Sequence, residues 1–309
     1  MDADSLKDTF DFKLNPEGVS SEKILEIVDQ IQDLSVKSHH RHFHNQNYQG
    51  VDRYAQLGDY LATSLNGSMY TYEVAPLLTL MEKEMIELIG TWMKWDICEG
   101  IGTPGGSFSN LMAMIAARHR KFPEIKNEGM YGCPKMRIFY SDSAHYSVEK
   151  NAIMGGFGKS SIVWVKTDEH GAMIPSELET AIETVKEAGE IPLFVCATMG
   201  TTVQGALDPL DQLADVCEKH DVWLHADGCL SGAYIMCPSF DEKLVGWDRC
   251  DSFAWDPHKV LVVPQQSSFF VTKHAGLMLQ ANSVKGDYLF IDDRKEYSSA
   301  SLDSGEKSL

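Results

Sequence analysis

The chain is short of positive charge. Lys and Arg number 27 against 45 Asp and Glu, a formal net charge of −18 over 309 residues. A surface of that sign repels phosphodiester backbones and anionic membrane surfaces, so neither nucleic acid nor a membrane is expected as a partner. Long hydrophobic runs are missing too. Apolar runs such as Ile162–Val165 and Phe269–Val271 fall far short of the ~20 residues a spanning helix needs. Seven cysteines form an odd count with no CxxC spacing, which suits reduced thiols better than a disulfide framework. The start, Met1-Asp2-Ala3-Asp4-Ser5-Leu6-Lys7-Asp8, has neither a basic opening nor an apolar run, so no secretory signal is read there. A cytoplasmic location is expected, and the sequon at Asn66 then has no use. Repeats and low-complexity tracts are absent. What remains is ordinary globular composition, 43 % hydrophobic and 10 % aromatic, which excludes disorder and suffices for a large core.

Along the chain, residues 1–20 carry little pattern and read as a mobile end. Ile24, Ile27, Val28, Ile31 and Leu34 fall at helical spacing, which predicts an amphipathic helix over Glu22–Lys37. Residues 1–50 are therefore expected to form an N-terminal segment, and 51–309 a large domain. Helices are predicted near Tyr54–Leu65 and Ala75–Trp92. From residue 100 short apolar strands alternate with helices: strands Met136–Tyr140, Ile162–Val165, Leu193–Thr198 and Val222–Ala226, helices Tyr146–Met154, Ser176–Ala188 and Leu210–Lys219, then strands Ser252–Trp255 and Ser268–Thr272. Such alternation predicts an α/β fold, a mostly parallel sheet covered on both faces. The end, Tyr297–Leu309, is polar and Ser-rich, with no closing helix.

Several motifs carry chemistry. Gly100, Gly102 and Gly105 spell GxGxxG, but a dinucleotide fingerprint needs a preceding strand and an acidic residue about 20 positions on. Here a helix ending at Trp92–Trp95 precedes it, and Glu124 lies in a polar linker. Ser107 is read as opening a helix over Phe108–Arg118. Gly106 and Ser107 then offer free N–H groups to a phosphate, or Ser107 is simply an N-cap. Gly155–Ser160 resembles a P-loop and fails it, because Ile153 stands where the first glycine belongs. Asp227 closes an apolar strand, at the end where open α/β sheets bind ligands; a structural ion pair is the alternative. Lys259 follows Ser252-Phe-Ala-Trp-Asp-Pro-His and precedes Val260–Val263, so it starts inside the fold. Such surroundings depress a lysine pKa and suit a Schiff-base nucleophile. His145 follows the strand Met136–Tyr140 and alone is no more than a structural histidine. His39, His40, His42 and His44 have no Cys or carboxylate beside them; a polar loop explains them and no metal is expected. Together, a phosphate cradle, a carboxylate, an imidazole and a lysine stand at successive element ends. A carboxylate for a pyridinium nitrogen, a Schiff-base lysine and a phosphate cup are what pyridoxal 5'-phosphate requires.

Seven ordered motifs now carry a resemblance. They are His44-Asn-Gln, Met69-Tyr-Thr-Tyr-Glu-Val-Ala-Pro76, Pro104-Gly-Gly-Ser-Phe-Ser-Asn110, Ser143-Ala-His-Tyr-Ser147, Ala197-Thr-Met-Gly-Thr-Thr202, His225-Ala-Asp227 and Pro257-His-Lys259. From about residue 38 onward the chain resembles the pyridoxal-phosphate group II decarboxylases, in the branch of glutamate, cysteine sulfinate and aspartate decarboxylases. The resemblance implies a fold type I enzyme, a homodimer with the active site at the subunit interface. It implies that Lys259 binds the cofactor covalently, that Asp227 pairs with the pyridine nitrogen and that His145 stacks on the ring. Gly106, Ser107, Asp256 and His258 match phosphate contacts, and Thr202 a cofactor contact.

Departures from the pattern bear on function. The usual Ala-Ala after the aspartate is Gly228-Cys229, the usual Asn before Pro-His-Lys is Asp256, and the residue after the lysine is Val260. Relatives continue past the position of Leu309 into a mobile loop, a substrate-carboxylate arginine and a small C-terminal domain. A fragment, or a truncated and catalytically silent paralogue acting by dimerisation, is therefore the alternative to an active enzyme. In the family, the segment after Asn-Gln lines the substrate pocket, here Gln46 and Tyr48. An aromatic Tyr48 shortens that pocket and favours cysteine sulfinate or aspartate over glutamate.

Overall fold

The structure is a computed structural model that describes residues 2–45 and 47–284. Two compact units divide between His44 and Asn45. The first holds α1 (Ala3–Thr9) and α2 (Ser21–Leu34). The stretch expected to be mobile thus contains a helix, because the Asp2 side chain accepts from the N–H groups of Asp4 and Ser5 and caps it. Ser20 caps α2 in the same way, and the helix stops at Leu34 where Ser35 turns extended. Ile24, Val28 and Ile31 lie exposed along it.

The second unit opens with α3 (Arg53–Leu65), capped by Asp52 and closed by Asn66 in the left-handed region, and α4 (Pro76–Trp92), with proline at its first position. Next come β1 (Glu99–Thr103), α5 (Gly106–Lys121), α6 (Ile125–Glu128), β2 (Met136–Ser141), α7 (Ser147–Met154), β3 (Ile162–Val165), α8 (Pro175–Glu187), β4 (Ile191–Thr198), α9 (Leu210–His220) and β5 (Trp223–Gly228). β6 (Ser252–Trp255), β7 (Ser268–Thr272) and α10 (Leu277–Asn282) complete it. The strands form one seven-stranded sheet in the order β1-β7-β6-β5-β4-β2-β3. The run from β6 to β3 is parallel, while β7 and β1 add antiparallel at one edge.

Side-chain alternation sorts the sheet's two faces. Phe139, Val195, Ala197, Leu224 and Phe253 join residues of α4, α8 and α9 in one core. Ile138, Tyr140, Phe194 and Cys196 point the other way, onto Met112, Ala113 and Ala116 of α5 and Val148 of α7. Burial on both faces explains the continuous apolar strands.

The glycine stretch differs from expectation. Gly100 and Gly102 lie inside β1, because a Cβ at Gly100 would fall 2.4 Å from Phe270 O. Only glycine lets β7 approach so closely. The helix after it begins at Gly106, with Gly105 as N-cap at φ +137. Ser107 is therefore within the first turn and does not cap it.

Candidate active site

The carboxyl ends of the parallel strands converge on a small, partly open cavity of about 90 Å³. It is lined by Gly106 and Ser107 at the start of α5, by His145 beyond β2, by Thr198 and Thr202 at the end of β4, by Asp227 and Cys229 from β5, and by Asp256 and Lys259 beyond β6. Strand ends at a sheet edge are where doubly wound folds bind ligands.

Asp227 is fixed on both oxygens. Asn110 Nδ2 donates to Oδ2 at 2.8 Å and Cys229 N to Oδ1 at 3.1 Å. Burial works against its charge, but hydrogen bonds from the Cys229 side chain and backbone outweigh it and hold the carboxyl below the usual carboxylate range. Lys259 Nζ lies 2.9 Å from Asp256 Oδ2, and Ser268 Oγ donates to Asp256 Oδ1 at 2.6 Å. Here the sequence expectation is reversed. Burial alone would depress the Lys259 pKa; the neighbouring Cys229 and the Asp256 carboxylate overcome it, and the net shift is upward. His145 Nδ1 accepts from Ser147 N at 3.3 Å and lies 2.8 Å from Ser147 Oγ. Burial lowers its pKa, which favours the neutral ring.

The rim is built by backbone constraint. A Cβ on Gly106 would meet Cys229 Sγ at 2.2 Å and Asp256 Oδ2 at 2.7 Å, so the start of α5 sits flush against the cavity floor. Asn151 Nδ2 donates to Ser107 O at 2.9 Å and ties that turn to α7. The buried Asp208 accepts from Met173 N and Thr198 N at 2.7 and 2.6 Å, bracing the end of β4.

Of the residues singled out in the sequence, Lys259, Asp227, His145, Gly106, Ser107, Thr202 and Asp256 line one cavity. His258 does not line it: its Nδ1 lies 2.6 Å from Ser267 O, and its Nε2 lies 4.0 Å from Asp256 Oδ2. Tyr48 is half-buried in the loop before α3 and is not among the lining residues. Gln46 lies outside the described residues. Asn110, Ser147 and Thr201 also line the cavity and were assigned no role from sequence; Asn110 stood in the Gly-Gly-Ser motif, one helical turn past Ser107.

Two other features lie outside this cavity. A hollow of about 270 Å³ at the opposite edge of the sheet is lined by Arg120, Lys121, Arg249 and Asp251, whose charges are already paired within the protein. Glu179, Glu183 and His220 bring three donor atoms within 4.8 Å. Lys219 Nζ lies 2.5 Å from Glu179 Oε1 and Lys186 Nζ 3.0 Å from His220 Nδ1, so Glu179 is already ion-paired within the protein.

The pyridoxal-dependent decarboxylase conserved domain matches residues 4–309. The chain belongs to this family. Among relatives in the decarboxylase family, it is 40 % identical over 311 residues to the acidic amino acid decarboxylase GADL1 of Homo sapiens, covering 99 % of this chain and 58 % of that protein. It is 39 % identical over 305 residues to the cysteine sulfinic acid decarboxylase of Rattus norvegicus, covering 98 % and 62 %. The crystal structure of mouse CSAD superposes with a TM-score of 0.94 at 39 % identity, covering 99 % of this chain and 64 % of that one. The chain thus spans about three fifths of the length of these decarboxylases.

Proposed function

We propose that this chain carries the cofactor-binding domain of a pyridoxal-phosphate-dependent decarboxylase of acidic amino acids, with cysteine sulfinate or aspartate favoured and glutamate as the alternative. The observation that carries the reading is convergence: Lys259 and Asp227 face one cavity whose rim is the N-terminus of α5. The site's chemistry fits the group. The first-turn N–H groups of α5 suit a phosphate, the buried anion Asp227 suits a protonated ring nitrogen, and Lys259 suits a carbonyl.

The bound cofactor would supply an electron sink for the pair released when carbon dioxide leaves. Asp227 would hold the proton on the ring nitrogen, and its bonds from Asn110 and Cys229 keep it aimed and ionised. Lys259 becomes a nucleophile only once its ammonium loses a proton, a loss that the Asp256 carboxylate, with Oδ2 at 2.9 Å, opposes. His145, neutral and anchored through Ser147, offers a flat ring at the cavity wall. Gly106, Ser107 and Thr202 line the same cavity. His258 would reach a phosphate only by turning from Ser267.

Substrate choice rests on Tyr48 and on the relatives named above, which act on acidic amino acids and cysteine sulfinate. Dimerisation is supported by apolar side chains exposed on α3 and α4, among them Leu57, Leu61, Leu77 and Met81. A cytoplasmic location is supported by seven cysteines that are all unpaired; among the described residues no helix is long and apolar enough to cross a membrane. The second reading, a silent chain acting by pairing, draws on the Lys259–Asp256 ion pair, which occupies the nucleophile.

The deciding experiment is spectroscopic. Cofactor-free protein mixed with pyridoxal phosphate should develop a visible absorbance band that borohydride abolishes while fixing the label covalently. In Lys259→Ala neither band nor fixed label should form. A label that persists in that variant would overturn the assignment of Lys259.

A further inference from the structure

Asp227 is backed by a row of buried polar groups running from β5 and β6 into α5. Trp223 Nε1 donates to Ser252 Oγ at 2.8 Å. Ser252 Oγ lies 2.8 Å from His225 Nδ1, and His225 Nε2 lies 3.0 Å from Asn110 Oδ1. Asn110 Nδ2 reaches Asp227 Oδ2 at 2.8 Å. Ser252 and His225 are wholly buried, and Asn110 and Trp223 nearly so.

The two ends of the row fix its direction. An indole nitrogen only donates, and an ionised carboxylate only accepts. Asn110 Nδ2 donates to Asp227, so Asn110 Oδ1 faces His225 Nε2 and needs the ring hydrogen there. The neutral ring then accepts the Ser252 hydroxyl hydrogen at Nδ1, while the Ser252 oxygen accepts from Trp223. The reverse order places Asn110 Oδ1 against the Asp227 carboxylate with no proton between them, an unpaired buried contact that costs heavily. All four bonds therefore point the same way, and such rows polarise cooperatively.

We propose that Trp223, Ser252, His225 and Asn110 form a one-way hydrogen-bond relay that positions Asp227 and holds it as an anion toward the cofactor site. These four are positioning residues, since Asp227 is the one placed to meet the ring nitrogen. That last part rests on the function proposed above; the relay itself does not. His225 serves as a neutral link with one defined tautomer, because loss of hydration on burial pushes its pKa down to about 4.

The test begins without cofactor. Two-bond proton–nitrogen correlation spectra of the full chain, labelled at histidine nitrogen, should show His225 at pH 7 as the neutral Nε2–H tautomer, the signal being identified by its loss in His225→Gln. A neutral Nδ1–H ring or an imidazolium would overturn the relay. A second measurement compares dissociation constants for pyridoxal phosphate and for its analogue with carbon in place of the ring nitrogen. Ser252→Ala and Trp223→Phe should each cut the preference for the nitrogen-bearing compound about tenfold, the worth of one buried hydrogen bond, and leave affinity for the analogue unchanged. An unaltered preference in both would refute the relay, as a merely structural role would leave that ratio alone. An unmodified chain that binds neither compound would count against the proposed function, while the tautomer would still decide the relay.

Discussion

Replacing Asp256 with Asn isolates what the carboxylate does to the nucleophile. The Asp256–Lys259 contact of 2.9 Å joins two buried groups, with Asp256 2 % and Lys259 22 % exposed at the side chain. A charge-assisted hydrogen bond of this kind contributes ~1.5–3 kcal/mol in favour of the ammonium. Its loss should raise the fraction of neutral amine roughly ten- to hundredfold at a given pH. Asn keeps an oxygen for the Ser268 hydroxyl, which donates at 2.6 Å, so the local fold is retained. The assay mixes cofactor-free protein with saturating pyridoxal phosphate in a stopped-flow instrument and follows the visible band from pH 6 to 9. Saturation matters, because removing a negative charge beside a phosphate also strengthens binding. Asp256→Asn should load faster at neutral pH by about ten- to hundredfold, with its pH profile displaced downward. An unchanged saturating rate and profile would refute the claim that Asp256 holds Lys259 in its charged form.

The comparison of sequence with structure turns on where the determining contacts lie. Strands such as Ser252–Trp255 and Ser268–Thr272 were legible to the residue, because burial on both faces leaves a continuous apolar signature. β1 was not, since its Gly100 answers to the close approach of β7, a demand that no local propensity records. The same cause misplaced the start of α5: a serine looked like the cap, but the positive φ of Gly105 made the turn. Asp227, His145 and Lys259 were legible as polar residues at element ends. Asn110 is not legible in this way, because its partners His225 and Asp227 are 115 and 117 positions away in sequence. The Lys259 shift was misjudged for a related reason. Burial is visible in a run of apolar neighbours, whereas a carboxylate one turn back matters only once its side chain is aimed at the ammonium.

Three further outcomes are expected. Gly106→Ala would set a Cβ 2.2 Å from Cys229 Sγ; equilibrium titration should show at least about tenfold weaker cofactor binding with circular dichroism unchanged, and adding Cys229→Ala should restore part of the loss. On the proposed function, Tyr48→Ser should narrow or reverse a preference for cysteine sulfinate or aspartate over glutamate, by roughly 10–200-fold in kcat/KM if one methylene is at stake; equal use of glutamate by the unmodified protein would refute the pocket argument. The third concerns acid stability, where two buried groups oppose each other. His225 titrates near 4 in the folded chain against a usual 6.5, so between those values the unfolded chain binds more protons and acidification removes stability. Asp208, pushed up to about 6 by burial from 3.8, does the opposite: the folded chain binds more protons between 3.8 and 6, and acidification returns stability. Each shift corresponds to about 3 kcal/mol across its window, so the two nearly cancel. Asp208→Asn removes one side of that balance. Urea unfolding of both proteins at pH 7 and pH 4 should show the variant losing about 3 kcal/mol relative to the unmodified chain over that range, a difference in which every other titrating group drops out. A stability difference that does not change with pH would mean that Asp208 stays ionised in the folded protein at pH 4, and the argument from its burial would fail.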